Sequence, residues 1–223
     1  MRLKLLTLSI LLFITTEKAH PQSPIPPAKE KVLLQMDFDD PANPMVPNII
    51  HGDTASAVVQ NGYYVLDAQK ANRFWAPRLS TPAEYVPTCN ILEMKMKVVA
   101  DSPQAKYGIL WNSVQKTPGI FNEFDFWVYS TGQYIIFAKA NDSAYKVSEF
   151  TECPCINKGT SAYNTLRIEE IHSGEFRFFI NGQMVRQAVL MVPQFTTFGF
   201  YSDAHTTLYV DYVKFAARAD QNN

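Results

Sequence analysis

The sequence predicts an all-β protein built from antiparallel sheets. Apolar and polar residues alternate with a period of two along most of the chain, and turn residues separate the alternating runs. No segment has the i, i+3, i+4, i+7 spacing of an amphipathic helix. A series of short strands of this kind is typical of a two-sheet sandwich or a barrel. Because composition does not shift along the strand-rich part, we expect one domain.

The clearest predicted strand covers residues 91–99, where four apolar side chains alternate with three charged ones. One face is therefore apolar and the other charged, as in an antiparallel strand with one side in water. The other predicted strands cover residues 32–38, 63–68, 107–112, 124–129, 134–140, 145–150, 165–171, 176–181, 183–190, 196–202 and 207–215. Short turns join several of them, at residues 130–132 and 172–174 and at Asn181-Gly182. The last is the strongest hairpin signal, because a type I′ turn needs positive φ at both positions.

The first 23 residues predict a signal peptide. Arg2 and Lys4 form a basic start, and an apolar stretch follows over residues 5–16. We place the cleavage site within residues 19–23 and expect a secreted or periplasmic protein with no transmembrane span in the mature chain. The alternative is an uncleaved N-terminal anchor. Residues 24–30 are predicted to form a proline-rich tether, and residues 31–218 the folded domain.

Charge and composition exclude several functions. Twenty basic and 21 acidic residues give a net charge of −1, without basic blocks. This balance argues against a nucleic-acid partner. The chain also lacks a glycine-rich phosphate-binding loop, which argues against nucleotide chemistry by the common motifs.

Three cysteines, Cys89, Cys153 and Cys155, fall in a chain that we expect to be exported, where disulfides persist. We expect a bridge from Cys89 to Cys153 or to Cys155, with one thiol left over. A bridge between Cys153 and Cys155 would close a very small loop and is disfavoured. No second pair of ligands at suitable spacing supports a zinc site.

Several stretches together resemble one family of folds. They are LLQMDFDD (33–40), YGILWN (107–112), FDFWVYSTGQYIIFAKA (124–140), CINKGTSAYNTLRIEEIHSGEFRFFINGQMV (155–185) and FGFYSDAHTTLYVDYVKF (198–215). This pattern resembles the concanavalin A-like lectin/glucanase superfamily, which includes laminin-G-like domains. The resemblance implies a two-sheet antiparallel jelly-roll sandwich whose closing strand pairs with its opening strand. The strand order is also similar to that of bacterial 3-keto-disaccharide hydrolase-type domains, but no active-site motif places the chain among them.

Glu123 and Asp125 match part of a glycosidase motif. In the related glycosidase family 16, one strand carries Glu-x-Asp-x-(x)-Glu, with the nucleophile first and the acid/base last. Here Trp127 takes the last position, or Val128 if the strand contains a bulge. Without that acid, protonation of the leaving group fails. The resemblance therefore implies no catalytic residue of this type.

The same strand predicts a binding face. Alternation places Glu123, Asp125, Trp127 and Tyr129 on one side, with residues 124, 126 and 128 turned into the core. Carboxylates beside exposed aromatic rings suit a sugar, because rings stack on pyranose faces and acids accept hydrogen bonds from hydroxyls. The resemblance implies that this is the concave face, and neighbouring contributors are predicted to be Trp111, Asn112, Tyr201 and Asp203. Two alternatives stay open: Glu123 and Asp125 are ordinary solvent-facing strand residues, and Trp111 and Tyr201 pack in the core.

An acidic cluster predicts a structural calcium site. Asp37, Asp39 and Asp40 are close in sequence, and Asp211 lies on the predicted partner strand. Oxygen-rich clusters suit calcium, which the superfamily often carries. We expect Asp37, Asp39 and Asp211 to be its ligands and no other cofactor to be required. The alternative is a set of exposed loop acids.

Three functions follow from these patterns. The first is an exported, non-catalytic module that binds carbohydrate or a cell-surface glycan. The second is a glycoside hydrolase with a non-standard site around Glu123 and Asp125. The third is a purely structural or interaction domain.

Overall fold

The computed structural model describes residues 25–40, 46–51, 54–68, 70, 76–117, 120–140, 143–190 and 195–219. These residues form sixteen strands and no helix: β1 (Glu30–Met36), β2 (Ile49–His51), β3 (Ala55–Gln60), β4 (Tyr63–Asp67), β5 (Arg78–Ser80), β6 (Ile91–Ala100), β7 (Lys106–Thr117), β8 (Ile120–Tyr129), β9 (Gln133–Ala140), β10 (Ser143–Lys146), β11 (Thr151–Glu152), β12 (Asn164–His172), β13 (Glu175–Ile180), β14 (Gln183–Val189), β15 (Thr197–Ser202) and β16 (Thr206–Arg218). The predicted signal peptide lies outside the described residues. Within them, no helix has the length and apolar character needed to cross a membrane.

The described strands form two antiparallel sheets. The first sheet has the order β14-β13-β12-β6-β16-β4-β3-β2, and β1 also pairs with β16. The second sheet has the order β10-β9-β8-β7-β15-β5, and β11 also pairs with β9. The opening strand thus lies against the closing one, with Met36 opposite Val213. This arrangement confirms the predicted all-β, two-sheet antiparallel architecture.

The core lies between the two sheets. The four apolar residues of the clearest predicted strand, now part of β6, are all fully buried in it. From the second sheet, β8 contributes Phe126 and Val128, and β15 contributes Phe198 and Phe200. Each strand therefore turns one apolar face inward, as the period-two pattern predicts.

The predicted hairpin turn between β13 and β14 is present. Asn181 has a φ of 50° and Gly182 a φ of 79°. Both values are positive, as a type I′ turn requires. A second Asn-Gly pair, Asn61-Gly62, has the same signs of φ and joins β3 to β4.

Two parts of the strand assignment differ from prediction. Strands β2, β3, β5 and β11 are present although no predicted strand covers them. The predicted strand over residues 145–150 is wrong for residues 147–150, since β10 ends at Lys146. The backbone amides of Val147 and Ser148 both donate to the carbonyl of Ile136, at 2.9 and 3.0 Å, so the ladder is interrupted there.

The segment before β1 is attached to the outer face of the first sheet. The amide of Ala28 donates to Oε1 of Glu169 at 3.0 Å, and the guanidinium of Arg167 donates to the Ala28 carbonyl at 3.2 Å. The Glu30 carboxylate binds both Arg167 and Lys214, the latter at 2.6 Å. These contacts fix the path of the chain as it enters the domain.

The expected bridge to Cys89 is wrong, because the disulfide joins Cys153 to Cys155. The Cys89 thiol is buried and free, and it donates to the carbonyl of Ile91 beside the first sheet. The Cys153 amide donates to the carbonyl of Gly132, at the turn between β8 and β9 of the second sheet. These hydrogen bonds hold Cys89 and Cys153 against different sheets.

Candidate functional site on the outer face of the second sheet

Strand β8 turns alternate side chains to opposite faces, as predicted. Phe126 and Val128 are buried in the core between the sheets. Asp125 and Trp127 lie on the other face, where Trp127 packs against the small apolar group of Ala76, Leu110 and Tyr201. We call this side of the second sheet the outer face.

A glycine brings two aromatic rings together at the centre of the outer face. Gly108 on β7 pairs with Trp127 on one side and with Tyr201 on the other. With no side chain between them, the two rings stack with centroids 4.1 Å apart and an interplanar angle of 34°. A Cβ on Gly108 would lie 2.1 Å from the carbonyl oxygen of Phe126. The sequence therefore needs glycine here for the strands to pair and the rings to meet.

Glu123 is buried in a cage of donors. Its side chain is 2% exposed, and its Oε1 lies 2.8 Å from Nζ of Lys139. Its Oε2 lies 2.7 Å from Nη2 of Arg78 and accepts a hydrogen bond of 2.9 Å from the Ser113 hydroxyl. Burial alone would raise the pKa of Glu123, but the charges and hydrogen bonds of Lys139 and Arg78 hold it below its ordinary value. This carboxylate is ionised and fully engaged.

Asp125 lies beside it in a different electrostatic setting. It is fully buried, its Oδ1 accepts a hydrogen bond of 3.1 Å from the Trp127 indole, and its Oδ2 lies 3.2 Å from Nζ of Lys139. Burial raises the pKa of Asp125 to about 7, and the neighbouring charge of Glu123 acts in the same direction. The two carboxyls therefore differ in protonation near neutral pH.

Partly exposed basic side chains lie around these acids and around Trp127. Arg78, Lys106 and Lys139 have side chains that are 23%, 26% and 27% exposed. The ammonium groups of Lys106 and Lys139 lie 5.0 and 5.5 Å from the centroid of the Trp127 ring. Such distances are within the range of cation–π attraction. Trp127 is thus flanked by two cations.

A second aromatic pair lies at one end of the outer face. The rings of Tyr129 and Phe150 are 5.4 Å apart in an edge-on arrangement, and Phe150 is 53% exposed. Lys106 is directly opposite Tyr129 in the strand register. Its ammonium group lies 3.9 Å from Oδ1 of Asp203, which places the predicted Asp203 at this rim.

The structure divides the predicted neighbours into two groups. Tyr201 and Asp203 lie on or beside the outer face. Trp111 faces the core, where its ring packs 5.3 Å from Phe124, so the prediction that it joins the binding face is wrong. The alternative of core packing is confirmed for Trp111. Tyr201 is buried as well, but in the small apolar group on the outer face, beneath Trp127.

Asn112 has a backbone role. It has a φ of 50°, lies in the irregular part of the β7–β8 pairing, and is buried. Its Oδ1 accepts a hydrogen bond of 3.0 Å from the amide of Thr196. The side chain therefore satisfies the backbone of a neighbouring segment.

The alternative in which Glu123 and Asp125 face solvent is also wrong, since both are buried. The prediction missed the cations that make this burial tolerable. A signal for Lys139 was present, because Glu123 and Lys139 are equally distant from Thr131 in the 130–132 turn and lie opposite each other. No such signal exists for Arg78, which comes from the distant strand β5.

Two of the acids predicted to bind calcium have other partners. Asp211 pairs with Lys95 at 2.7 Å, and Asp37 accepts a hydrogen bond of 2.7 Å from the side chain of Gln35. Within the described residues, no group of three or more acidic, histidine or cysteine side chains is placed to hold a metal ion. These aspartates do not fit a calcium site.

No known protein-family model matches the chain, and no curated protein matches it either. Solved structures with the same architecture do match. The catalytic domain of an endo-1,3-β-glucanase (laminarinase) from Thermotoga petrophila aligns with 86% of this chain and 99% of its own, at a TM-score of 0.58 and 12% identity. A GlcNAcα1-4Gal-releasing endo-β-galactosidase from Clostridium perfringens aligns with 91% and 66%, at a TM-score of 0.61 and 13% identity. A Bacillus licheniformis β-glucanase aligns with 82% and 96%, at a TM-score of 0.55 and 10% identity.

The chain has the concanavalin A-like lectin/glucanase fold. The predicted jelly-roll sandwich is therefore confirmed. At identities this low, the likeness concerns the fold, and function has to be argued from the site.

Proposed function

We propose that this protein is a non-catalytic carbohydrate-binding module that contacts its glycan with the outer face of the second sheet. The observation that carries the proposal is the engagement of Glu123. Three side chains bind its two oxygens, and only 2% of its side chain is exposed. A carboxylate held in this way is not available to attack a sugar ring or to protonate a leaving group.

The aromatic side chains support binding. Trp127 is partly exposed at the centre of the outer face, and Tyr129 and Phe150 extend the aromatic surface toward its rim. These rings present apolar area, and Tyr129 adds a hydroxyl, which suits the faces and hydroxyls of a pyranose. Since Tyr201 packs behind Trp127, the indole is held in place before a ligand arrives.

A glycan-array screen of the purified protein, with product analysis on every hit, tests the proposal. We expect hits without cleavage, and at least about a tenfold loss of affinity for Trp127→Ala, or about 1.4 kcal/mol. Tyr209→Ala is the matched control, because Tyr209 is a partly exposed aromatic residue on β16 of the other sheet. Equal losses for both variants, or no hits, would contradict the proposal and leave a structural or interaction domain.

One observation favours a glycoside hydrolase as the second candidate. Neighbouring carboxyls whose pKa values are displaced in opposite directions, as for Glu123 and Asp125, are typical of acid/base pairs. In that case Asp125 would donate a proton to the leaving group, and Glu123 would supply the negative charge of the second carboxylate. For a glycoside hydrolase, Glu123→Gln would abolish turnover. For a non-catalytic binding module, the wild-type protein has no turnover, and Glu123→Gln weakens affinity only partly.

We also propose that the protein is exported, on the basis of the predicted signal peptide at residues 1–23. A glycan on a cell surface or in the periplasm would then be within reach. N-terminal sequencing of the protein recovered from culture fractions tests this. A start within residues 19–24 supports export, and an intact Met1 in the cytoplasmic fraction contradicts it.

A further inference from the structure

The charges on the outer face are arranged in two layers. The carboxyl groups of Glu123 and Asp125 lie beneath, with side chains 2% and 0% exposed. The basic groups of Arg78, Lys106 and Lys139 lie above, each about one quarter exposed. A ligand that approaches the centre of this face therefore meets cations before it meets the buried acids, whereas Asp203, 31% exposed, lies beside Lys106 at the rim.

The two lysines next to Trp127 keep donors free. Lys139 donates one of its three N–H groups to Glu123, and its Nζ lies 3.2 Å from Oδ2 of Asp125 without forming a hydrogen bond, so donors are left over. Lys106 lies 3.9 Å from Asp203, too far for a hydrogen bond, so its three N–H groups have no such partner among the described residues. Arg78 also retains donors, because three of its five N–H groups account for its contacts to Glu123, Ser113 and the Ala76 carbonyl.

The buried acids do not cancel the positive charge of the basic groups above them. Burial raises the pKa of Asp125 to about 7, so a fraction of this carboxyl is neutral near neutral pH. The remaining buried charge, on Glu123, is matched by two cations that both contact it. Asp203 offsets part of the charge of Lys106, so the three cations face Glu123, Asp203 and a partly neutral Asp125, and a net positive charge remains close to Trp127.

We infer that the glycan is anionic, a saccharide that carries carboxylate or sulfate groups. Its anionic group lies between the ammonium groups of Lys106 and Lys139, and its ring lies against Trp127. The inference rests on the proposed carbohydrate-binding function and adds the chemical class of the ligand. Charge-assisted hydrogen bonds to the free N–H groups supply the selectivity, and the indole supplies the apolar contact.

An array of matched acidic and neutral glycans tests this inference. Suitable pairs are oligogalacturonates with their methyl esters, and sulfated galactan oligosaccharides with the unsulfated ones. We expect the wild-type protein to prefer the acidic member of at least one pair by about tenfold or more, with affinity falling as salt rises. The carboxylate and sulfate arms show which anion is bound.

Lys106→Gln provides the decisive variant, and Lys97→Gln its matched control. Lys97 is also surrounded by aromatic rings, 4.7 Å from Tyr163 and 5.1 Å from Tyr209, but it lies on β6 of the other sheet. We expect Lys106→Gln to weaken binding of the acidic glycan about tenfold and to change binding of its neutral counterpart little. Lys97→Gln should bind like wild type.

The other outcomes are distinguishable. Preference for neutral glycans that depends on Trp127 would overturn the anionic inference while leaving the proposed function intact. Equal effects of Lys106→Gln and Lys97→Gln would also overturn it, since attraction would then come from general charge. An array without any Trp127-dependent hit would overturn both proposals.

Discussion

Glu123 and Lys139 lie directly opposite each other on β8 and β9, with Oε1 of the acid 2.8 Å from Nζ of the lysine. The same Nζ lies 3.2 Å from Oδ2 of Asp125. One ammonium group therefore serves two buried carboxyls, and the stability of the outer face depends on it.

Replacing this lysine should destabilise the fold. Lys139→Met keeps the aliphatic stem but leaves Asp125 without its cation and Glu123 with Arg78 as its one remaining cation. We expect a loss of about 3 kcal/mol in the free energy of unfolding, measured by urea denaturation, because a buried carboxylate loses its partner. Lys146→Met is the control, since Lys146 and Glu149 form an exposed pair with side chains 53% and 74% exposed. That pair should contribute at most about 0.5 kcal/mol, so similar losses for both variants would contradict the prediction.

Asp125 should make stability depend on pH. Its pKa is raised by burial to about 7 from a model-peptide value of 3.8, so the folded state binds more protons than the unfolded state between these values. The free energy of unfolding therefore falls as pH rises from about 4 to 7. Asp125→Asn removes this cost, and its stability relative to wild type should rise by about 2–4 kcal/mol between pH 4 and pH 8.

Glu123 gives the opposite sign and serves as an internal check. Since its pKa is lowered in the folded protein, its stabilisation is present above pH 4.5 and is lost as pH falls through the folded-state pKa. The deficit of Glu123→Gln relative to wild type should therefore grow as pH rises from about 3 to 6. Chemical denaturation between pH 3 and pH 8 measures how the free energy of unfolding of each variant, relative to wild type, depends on pH. Parallel curves for wild type and Asp125→Asn would show that Asp125 is not perturbed by burial.

Gly108 should not tolerate a side chain. In Gly108→Ala, the new Cβ would lie 2.1 Å from the Phe126 carbonyl oxygen and 2.8 Å from Cα of Trp127, so the strands must separate. We expect a loss of about 3 kcal/mol or more in the free energy of unfolding, together with loss of the near-ultraviolet circular dichroism from the Trp127–Tyr201 stack. Gly182→Ala meets no atom within 4 Å and carries only the strain of a φ of 79°. It should lower the free energy of unfolding by about 1 kcal/mol. A larger loss for Gly182→Ala than for Gly108→Ala would contradict the close approach of the strands at Gly108.

The cysteines can be distinguished by alkylation. Burial raises the pKa of the Cys89 thiol to about 11, so we expect it to resist alkylation in the native protein and to react once the chain unfolds. Peptide mapping should then find the bridge between Cys153 and Cys155. Replacing both by alanine should cost only about 1.5 kcal/mol, because the closed loop is short. A bridged peptide that contains Cys89 would contradict the structure.

The part of the site that is local in sequence could be predicted. The alternation of β8 identifies its outward residues, and the turn at residues 130–132 sets the register that places Lys139 opposite Glu123. Trp111 shows that an error of one residue is enough to assign a side chain to the wrong face, because its neighbour Leu110 is the residue opposite Asp125. A shift of one residue exchanges the faces of a strand, and the irregular pairing after Trp111 hides the register from the sequence.

The long-range part could not be predicted. Arg78 reaches Glu123 because the short strand β5 pairs with β15, and β15 pairs with β7. Neither pairing leaves a periodic signal in the sequence. Burial of Glu123 depends on this arginine, so a strand pattern read alone makes the glutamate look like a surface residue.

The pairing of β1 with β16 has a mechanical consequence. Glu30 lies opposite Arg218, so the chain enters and leaves the domain at the same end of one antiparallel ladder. Tension applied to both flanks would load the hydrogen bonds of this ladder one at a time, peeling β1 away as a zipper opens. The ion pairs of Glu30 with Arg167 and Lys214 stand at the point where peeling begins. Under tension, the domain would begin to unfold at the β1–β16 pairing, while the strands that carry Trp127 and Lys106 bear no load.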